Sequence, residues 1–397
     1  MLLILPHFTA TARRLLRLPS QPPLAAIKFS SYLSSMADLG APLPPLLLVL
    51  CSKSPREFDL ALSSKNAGFK LEAVEEEIRV FIQSDLDPGI QQTFQTDVYM
   101  GALSTNLFGR LLIWSPRLPS THDVVSQNFC GIPLGTVCVT DLQFKGRGRS
   151  KNVWESPPGC VMFSFTLEME DGRKLPLLQY VVSLAITEAI KDVCRMQGLP
   201  ELDVRIKWPN DLYLNGLKVG GILCTSTYRS KKFHVCAGVG LNLDNEKPTT
   251  CLNAALKEMI PDSGQIKRED LVAAFFNKFE NLFEVFLGQG FQALEELYYQ
   301  TWLHSGQKVV IEEKNNGHVE NIAVIIQGLT PSGYLLATDE ENKEFELHPD
   351  GNRYIYRHSL LKSSFSICLS TFVQHLTELV FACSFDFFKG LVRRKLE

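Results

Sequence analysis

VRIKWPNDLYLNGLKVGGIL, residues 204–223, is the stretch on which the reading of this chain turns. Val204 to Trp208 alternate as a strand does, and Pro209-Asn210-Asp211 punctuates them. Leu212 to Leu214 read as a second short strand, Asn215-Gly216 is a strong hairpin signal, and Lys218 opens the return strand. Gly220-Gly221 then leaves bare backbone where another group must come close. An ordinary meander with a charged rim explains the hairpin. It does not explain why Lys207, Asn210, Asp211 and Lys218 gather around it.

Upstream, Gly146-Arg147-Gly148-Arg149 follows an apolar run, Val137 to Leu142, that reads as a strand. The glycines let the chain turn tightly. The arginines offer fixed forks of donors suited to carboxylate and phosphate oxygens, and Trp154 supplies a flat face for a ring. Alone, such a loop reads equally well as a plain basic turn. Beside the second block it supplies parts for holding a nucleotide and an acid.

Composition bounds the function. The 397 residues are 45% hydrophobic with net charge −3, enough for a large core and without a bulk basic signature. Glu75-Glu76-Glu77 lies where a nucleic-acid reader would want a basic face, so no nucleic-acid partner is expected. Leu46 to Leu50 is apolar but too short to span a bilayer, and no membrane partner is expected. Ten cysteines without a Cys-x-x-Cys pair read as buried thiols, not as zinc ligands or disulfides.

In order and spacing, four motifs resemble the biotin–protein ligases, or holocarboxylase synthetases. They are Gly-Arg-Gly-Arg at 146–149 with Trp154, Lys-Trp-Pro-Asn-Asp at 207–211, Lys-Val-Gly-Gly-Ile-Leu at 218–223, and Gly-Val-Gly-Leu-Asn-Leu at 238–243. The resemblance runs from about residue 96 to 352. Phe144-Lys145, and Ser-Phe-Asp-Phe-Phe-Lys-Gly-Leu-Val-Arg-Arg-Lys at 384–395, point to the eukaryotic, plant-like branch. It implies an α+β fold: a class II synthetase-like catalytic domain at 96–303, built as a mixed β-sheet with helices, then a small SH3-like β-barrel at 304–352.

It also implies a two-step reaction. The biotin carboxylate attacks the α-phosphorus of ATP, giving biotinyl-AMP and pyrophosphate. A lysine on a biotin carboxyl carrier domain, of acetyl-CoA carboxylase or another carboxylase, then takes the biotin. Mg²⁺ accompanies the nucleotide. By resemblance Lys218, Arg149 and Arg147 are the catalytic residues, and Gly146 and Gly148 complete the glycine loop of the biotin site. Lys207, Asn210 and Asp211 order the adenylate or its metal, and no metal-ligand set is assigned. Trp154 stacks on the adenine, with a core tryptophan as the alternative.

The family's biotin-binding Ser-Thr pair has two candidates. Ser120-Thr121 leaves room for one helix (Asp123 to about Phe129) and one strand (Thr136 to Leu142) before Gly146, which is the family's order. Ser104-Thr105 would leave an extra strand at Leu111–Trp114, so Ser104 is read as a helix cap or turn residue. Gln143 matches the glutamine that binds the ureido group. His122, where bacterial relatives carry asparagine, is either a helix-start residue or a biotin contact. Gly238 to Asn242 is ranked as backbone support.

Outside the motifs, helices are expected at Leu177–Met196 and Asp270–Leu287, and strands at 308–312, 319–327, 334–337 and 344–347. Residues 38–95 read as an N-terminal extension with a helical face of Val74, Ile78 and Phe81. Residues 1–37 carry Arg13, Arg14, Arg17 and Lys28 and no acid, the composition of a plastid or mitochondrial transit peptide, and a start at Met36 would leave a cytosolic form. Residues 353–383 read as an insert of splice-variant character before a closing strand and basic tail at 384–397. Arg353 to Arg357 competes as a substitute last strand. Two rival functions stand beside the ligase: a lipoate-type ligase of the same fold, and a catalytically impaired isoform that binds biotin or carrier.

Overall fold

The computed structural model describes residues 46–349 and 355–356, apart from 73, 75–76, 87–89, 91, 150–151, 246–247 and 316–317. The transit-peptide reading, the rest of the 353–383 insert and the 384–397 tail lie outside the described residues.

β1 (Leu47–Ser52) leads into α1 (Pro55–Ala67), β2 (Arg79–Ile82), α2 (Thr96–Ala102), β3 (Leu111–Ser115), α3 (Thr121–Gln127), β4 (Val137–Thr140) and β5 (Cys160–Met169). Next come α4 (Leu175–Met196), β6 (Arg205–Lys207), β7 (Asp211–Leu214), β8 (Leu217–Arg229) and β9 (Lys232–Asn242). Helices α5 (Leu252–Met259), α6 (Arg268–Gln289) and α7 (Glu295–Thr301) complete the layer. The strands form one mixed sheet in the order β2-β1-β3-β4-β5-β9-β8-β7-β6. β1 runs parallel to β2 and β3 parallel to β4, while β1 and β3 are antiparallel.

Around β1, β3 and β4 both faces of this sheet are covered, which explains why these strands are apolar on both sides. Leu47, Val49 and Cys51 join the core that α4 and α6 build, while Leu48 and Leu50 turn to a second core beside α1 and α3. β5 splits differently. Phe163 and Phe165 point toward α6 and meet Phe275, Phe276 and Phe279 at centroid distances of 4.9–5.7 Å, mostly tilted or edge-on. Between them Ser164 falls on the opposite face, against Thr121.

Two expectations for the N-terminal stretch need correction. Among the described residues of Glu72–Phe81 no helix forms, and β2 occupies Arg79–Ile82 instead, because pairing with β1 outweighs an apolar spacing that suits a helix equally well. The 38–95 stretch is also not an appendage, since β1 lies between β2 and β3 inside the catalytic sheet. A third correction concerns the thiols. Cys51, Cys138, Cys160, Cys194, Cys236 and Cys251 are buried, but Cys130 is exposed.

A second, antiparallel sheet follows: β10 (Lys308–Asn315), β11 (His318–Leu329), β12 (Leu335–Thr338), β13 (Glu344–Leu347) and β14 (Ile355–Tyr356), ordered β13-β12-β11-β10-β14. This is the small C-terminal β domain. Ile355 and Tyr356 sit opposite Val310 and Val309, so part of the 353–357 stretch takes the edge of β10. The turn before β12 docks on the catalytic layer. The Gly333 carbonyl accepts from Tyr180 Oη and, at 3.2 Å, from Trp208 Nε1, which also donates to Tyr180 Oη at 2.7 Å.

Leu48 is fully buried in the second core. Leu48→Ala is expected to cost about 2–5 kcal/mol in urea unfolding, as core truncations do. A cost near zero would return the first strand to the status of a dispensable extension.

Candidate active site

Strand register assembles the floor of the site. Gly221 on β8 pairs with Gly240 on β9, and Gly238 lies two residues along, opposite Leu223 and Ser164. Glycines on adjacent strands leave a strip of bare backbone in a sheet otherwise covered by side chains. A Cβ at 240 would lie 2.8 Å from Trp154 Nε1, and one at 221 would lie 3.7 Å from Trp154 Cζ3. The missing side chains therefore admit the Trp154 indole, which is half-buried in a cleft of about 480 Å³. That volume suits a small-molecule ligand.

One wall is polar and neutral. It grows from Ser120 and the first turn of α3. Thr121 N donates to Gln143 Oε1 at 2.8 Å, Thr121 Oγ1 lies 3.1 Å from the same oxygen, and Gln143 Nε2 donates to Ser156 Oγ at 2.9 Å. Ser120 stands at the N-cap position with its side chain making no cap bond. His122 is 6% exposed, its Nε2 is 3.0 Å from Thr225 Oγ1, and its buried Nδ1 has no partner among the described residues. Burial, reinforced by the nearby Arg147 charge, pushes this imidazole down to about 4.

The rest of the lining is cationic. The glycine loop folds back on itself, with Gly148 N donating to Asn152 O and Trp154 N to Gly146 O. A side chain at 146 would strike the Trp154 carbonyl, so that position must be glycine for the loop to close. Arg147 Nε pairs with Asp123 Oδ1 at 2.7 Å, and Arg149 Nη1 donates to Asn210 Oδ1 at 2.8 Å. Burial raises the Asp123 carboxyl above its ordinary value, although Arg147 opposes this. From the Lys-Trp-Pro-Asn-Asp block, Lys207 Nζ stands 5.0 Å from the Tyr213 ring centre. Its pKa is lowered by burial, with Asp211 opposing and Lys218 adding to the shift. The Asn215-Gly216 turn, with φ of 51° and 78°, delivers Lys218, whose Nζ is 2.7 Å from Asp211 Oδ1 and 5.4 Å from the Trp154 ring centre.

The cleft thus brings together Ser120, Thr121, His122, Gln143, Arg147, Gly148, Arg149, Trp154, Lys207, Asn210, Asp211 and Lys218, all drawn from the sequence. Gly146 packs behind the lining. Ser104 stands apart, following α2 in a turn where its N–H donates to Asn277 Oδ1. Sequence reasoning undervalued the Gly-Val-Gly stretch at 238–240, which is the floor and not backbone support alone. It missed Ser164, Tyr213 and Thr249, which also line the cleft. The polar face of β5, where Ser164, Thr166 and Glu168 alternate with Phe163, Phe165 and Leu167, was the available signal.

The turn carrying Asn210 and Asp211 is held from behind. Trp208 N donates to His304 Nε2 at 3.0 Å, and His304 Nδ1 lies 2.7 Å from Gln307 Oε1, which places the ring proton on Nδ1. Burial pushes His304 down to about 4, with Gln307 opposing. Unfolded, His122 and His304 would take protons near about 6.5. Between that value and 4 the unfolded chain binds more protons, so stability falls as pH drops through this window. Urea midpoints should decline from pH 7 to 4.5, and a flat series would show that neither ring is held neutral by the fold.

Residues 114–242 match the Biotin/lipoate A/B protein ligase family. The chain is 54% identical over 385 residues to "Biotin--protein ligase 1, chloroplastic" of Arabidopsis thaliana, covering 96% of this chain and 95% of that one. It is 57% identical over 352 residues to "Biotin--protein ligase 2" of the same plant, covering 88% and 98%. Human "Biotin--protein ligase" is 30% identical over 284 residues, covering 69% of this chain and 38% of that one. Among solved structures, the biotin protein ligase of Aquifex aeolicus in complex with biotin and ATP aligns with TM-score 0.49 at 24% identity, covering 62% of this chain and 99% of that one. On the strength of the Arabidopsis relatives, which it matches over almost its full length, the chain belongs to the biotin–protein ligase family.

Proposed function

We propose that this chain attaches biotin to a lysine of biotin carboxyl carrier domains, at the expense of ATP, through biotinyl-5'-AMP. One observation carries the reading: a set of neutral hydrogen-bonding side chains and a set of cations line one cleft over a floor of glycines, beside an indole. The neutral wall of Ser120, Thr121, His122 and Gln143 suits a small polar ring. The cationic wall of Arg147, Arg149, Lys207 and Lys218 suits a carboxylate meeting a triphosphate.

In the first step a biotin carboxylate oxygen bonds to the α-phosphorus as the bond to pyrophosphate breaks. Both partners are anions, so the barrier falls where fixed cations wait for the charge. Lys218 is placed for that role. Its pairing with Asp211 holds the ammonium at the edge of the cleft, and Arg149 ties the glycine loop to the Asn210 turn. Trp154 gives the adenine a face for stacking. In the second step the carrier lysine's amine attacks the anhydride carbonyl, AMP leaves, and the amine loses a proton. No side-chain nucleophile is required.

Asp211 and Asn210 offer hard oxygens on the same wall, a set that fits Mg²⁺ sharing its shell with phosphates and water. No cluster of three His, Cys, Asp or Glu among the described residues would hold a metal unaided. When bound, the ion would neutralise phosphate charge. We further propose that residues 1–37 direct the chain to a plastid, as the word "chloroplastic" in the name of one Arabidopsis relative suggests. A reporter carrying residues 1–40 that stays cytosolic would end that proposal.

Incubation with ATP, Mg²⁺ and labelled biotin should label a carrier domain, whereas labelled lipoate should not. Label from lipoate alone would favour the rival ligase, and biotin binding without transfer would favour a non-catalytic isoform. Lys218→Ala should slow biotin-dependent pyrophosphate release by roughly 10²–10³, the range seen when one charge-stabilising donor is lost. Arg149→Ala should mainly hasten escape of biotinyl-AMP, read by trapping the released adenylate. Normal pyrophosphate release in the first variant would remove Lys218 from the mechanism.

A further inference from the structure

Ser164 is 1% exposed, and its Oγ lies 2.9 Å from Thr121 Oγ1. Room for that hydroxyl comes from the neighbouring strand, where a Cβ on Gly238 would approach Ser164 Oγ to 2.9 Å. Thr121 Oγ1 is also 3.1 Å from Gln143 Oε1. The amide end facing Thr121 is fixed, because Thr121 N donates to Gln143 Oε1 at 2.8 Å and a flipped amide would oppose two N–H groups.

These contacts fix the direction of every proton. A carbonyl oxygen only accepts, so the Thr121 hydroxyl donates to Gln143 Oε1. Having spent its one proton, Thr121 accepts from Ser164. Gln143 Nε2 then donates to Ser156 Oγ, which has the Trp154 carbonyl as its acceptor at 3.4 Å. The relay runs one way from Ser164 to Ser156.

We infer that Ser164 is a positioning residue that sets the hydrogen-bond polarity of the ring-binding wall and so selects a cyclic urea. The inference rests on the reading that the biotin ring lies against Thr121 and Gln143. With the relay in this direction, the ligand meets a lone pair on Thr121 and the second N–H of the Gln143 amide. A cyclic urea carries N–H donors beside a carbonyl acceptor and satisfies both. A dithiolane ring has neither and would leave both buried groups without partners, which is costly.

The test is a double-mutant cycle in the full-length chain, with biotin binding measured by calorimetry in the absence of ATP. Ser164→Ala should weaken biotin, and desthiobiotin equally, by about tenfold, the usual worth of one buried hydrogen bond. The KM for ATP and the melting temperature should hold. Thr121→Val should weaken biotin at least as much, and the double variant should be no weaker than Thr121→Val alone, because one residue acts through the other. Unchanged biotin affinity in Ser164→Ala, additive losses, or a parallel rise in the KM for ATP would each overturn the role of Ser164. Unchanged affinity in Thr121→Val would overturn the underlying placement of the ring as well.

Discussion

A sheet covered on both faces has room for a ligand only where side chains are left out, and among the described residues the β8–β9 register leaves them out together at the cleft. Gly221, Gly238 and Gly240 come from two strands, and only the β8–β9 register sets them side by side. Glycine inside a strand costs about 0.5–1 kcal/mol against alanine, so three of them near one spot mark a position where packing yields to binding. The ladders on either side keep the opening in register. A slip of one residue would turn Val239 and Ile222, which now face the helix-side core, into the cleft.

The walls divide the labour between shape and charge. On the neutral side the Thr121–Gln143 network runs in one direction and leaves one Gln143 N–H for the ligand, so the surface is fixed before a ligand arrives. On the charged side, four cations are gathered from one loop, the end of β6 and a hairpin, and steadied by Asp123, Asp211 and Asn210. Bringing like charges together is unfavourable, and here folding bears that cost. The reacting anions then meet charges that need not reorganise, which is the general basis of electrostatic catalysis. Burial adds to this cost at Lys207, whose pKa it lowers, with Asp211 opposing and Lys218 contributing.

Much of the site could be read from sequence because its parts carry local signals. Asn215-Gly216 announces a turn wherever it occurs, and Gly-Arg-Gly-Arg beside Trp154 combines flexibility, charge and a ring in a few residues. Counting elements singled out Ser120-Thr121 over Ser104-Thr105; the structure sets Ser120 and Thr121 in the cleft lining and Ser104 away from it, against Asn277. The failures share a cause. Arg79–Ile82 becomes a strand because β1 lies ready beside it, and that neighbour is distant information. Gly240 looks like any strand glycine until Trp154, from another part of the chain, is laid over it. Ser164 gains meaning only from Thr121 and Gln143, neither adjacent in sequence. What the chain states locally was legible, and what depends on strand pairing was not.

The docking of the C-terminal sheet has an evolutionary corollary. Its link to Trp208, and so to the turn bearing Asn210 and Asp211, passes through the main-chain carbonyl of Gly333. Every residue has a carbonyl, so the joint cannot be lost by changing the identity of a side chain at the neighbouring turn positions. It can be lost by changing how many residues the turn contains. Lineages of this enzyme should therefore vary in composition around residues 330–334, except at Gly333, whose φ of 85° and close approach to Leu177 and Tyr180 favour glycine, while holding the length of that turn constant.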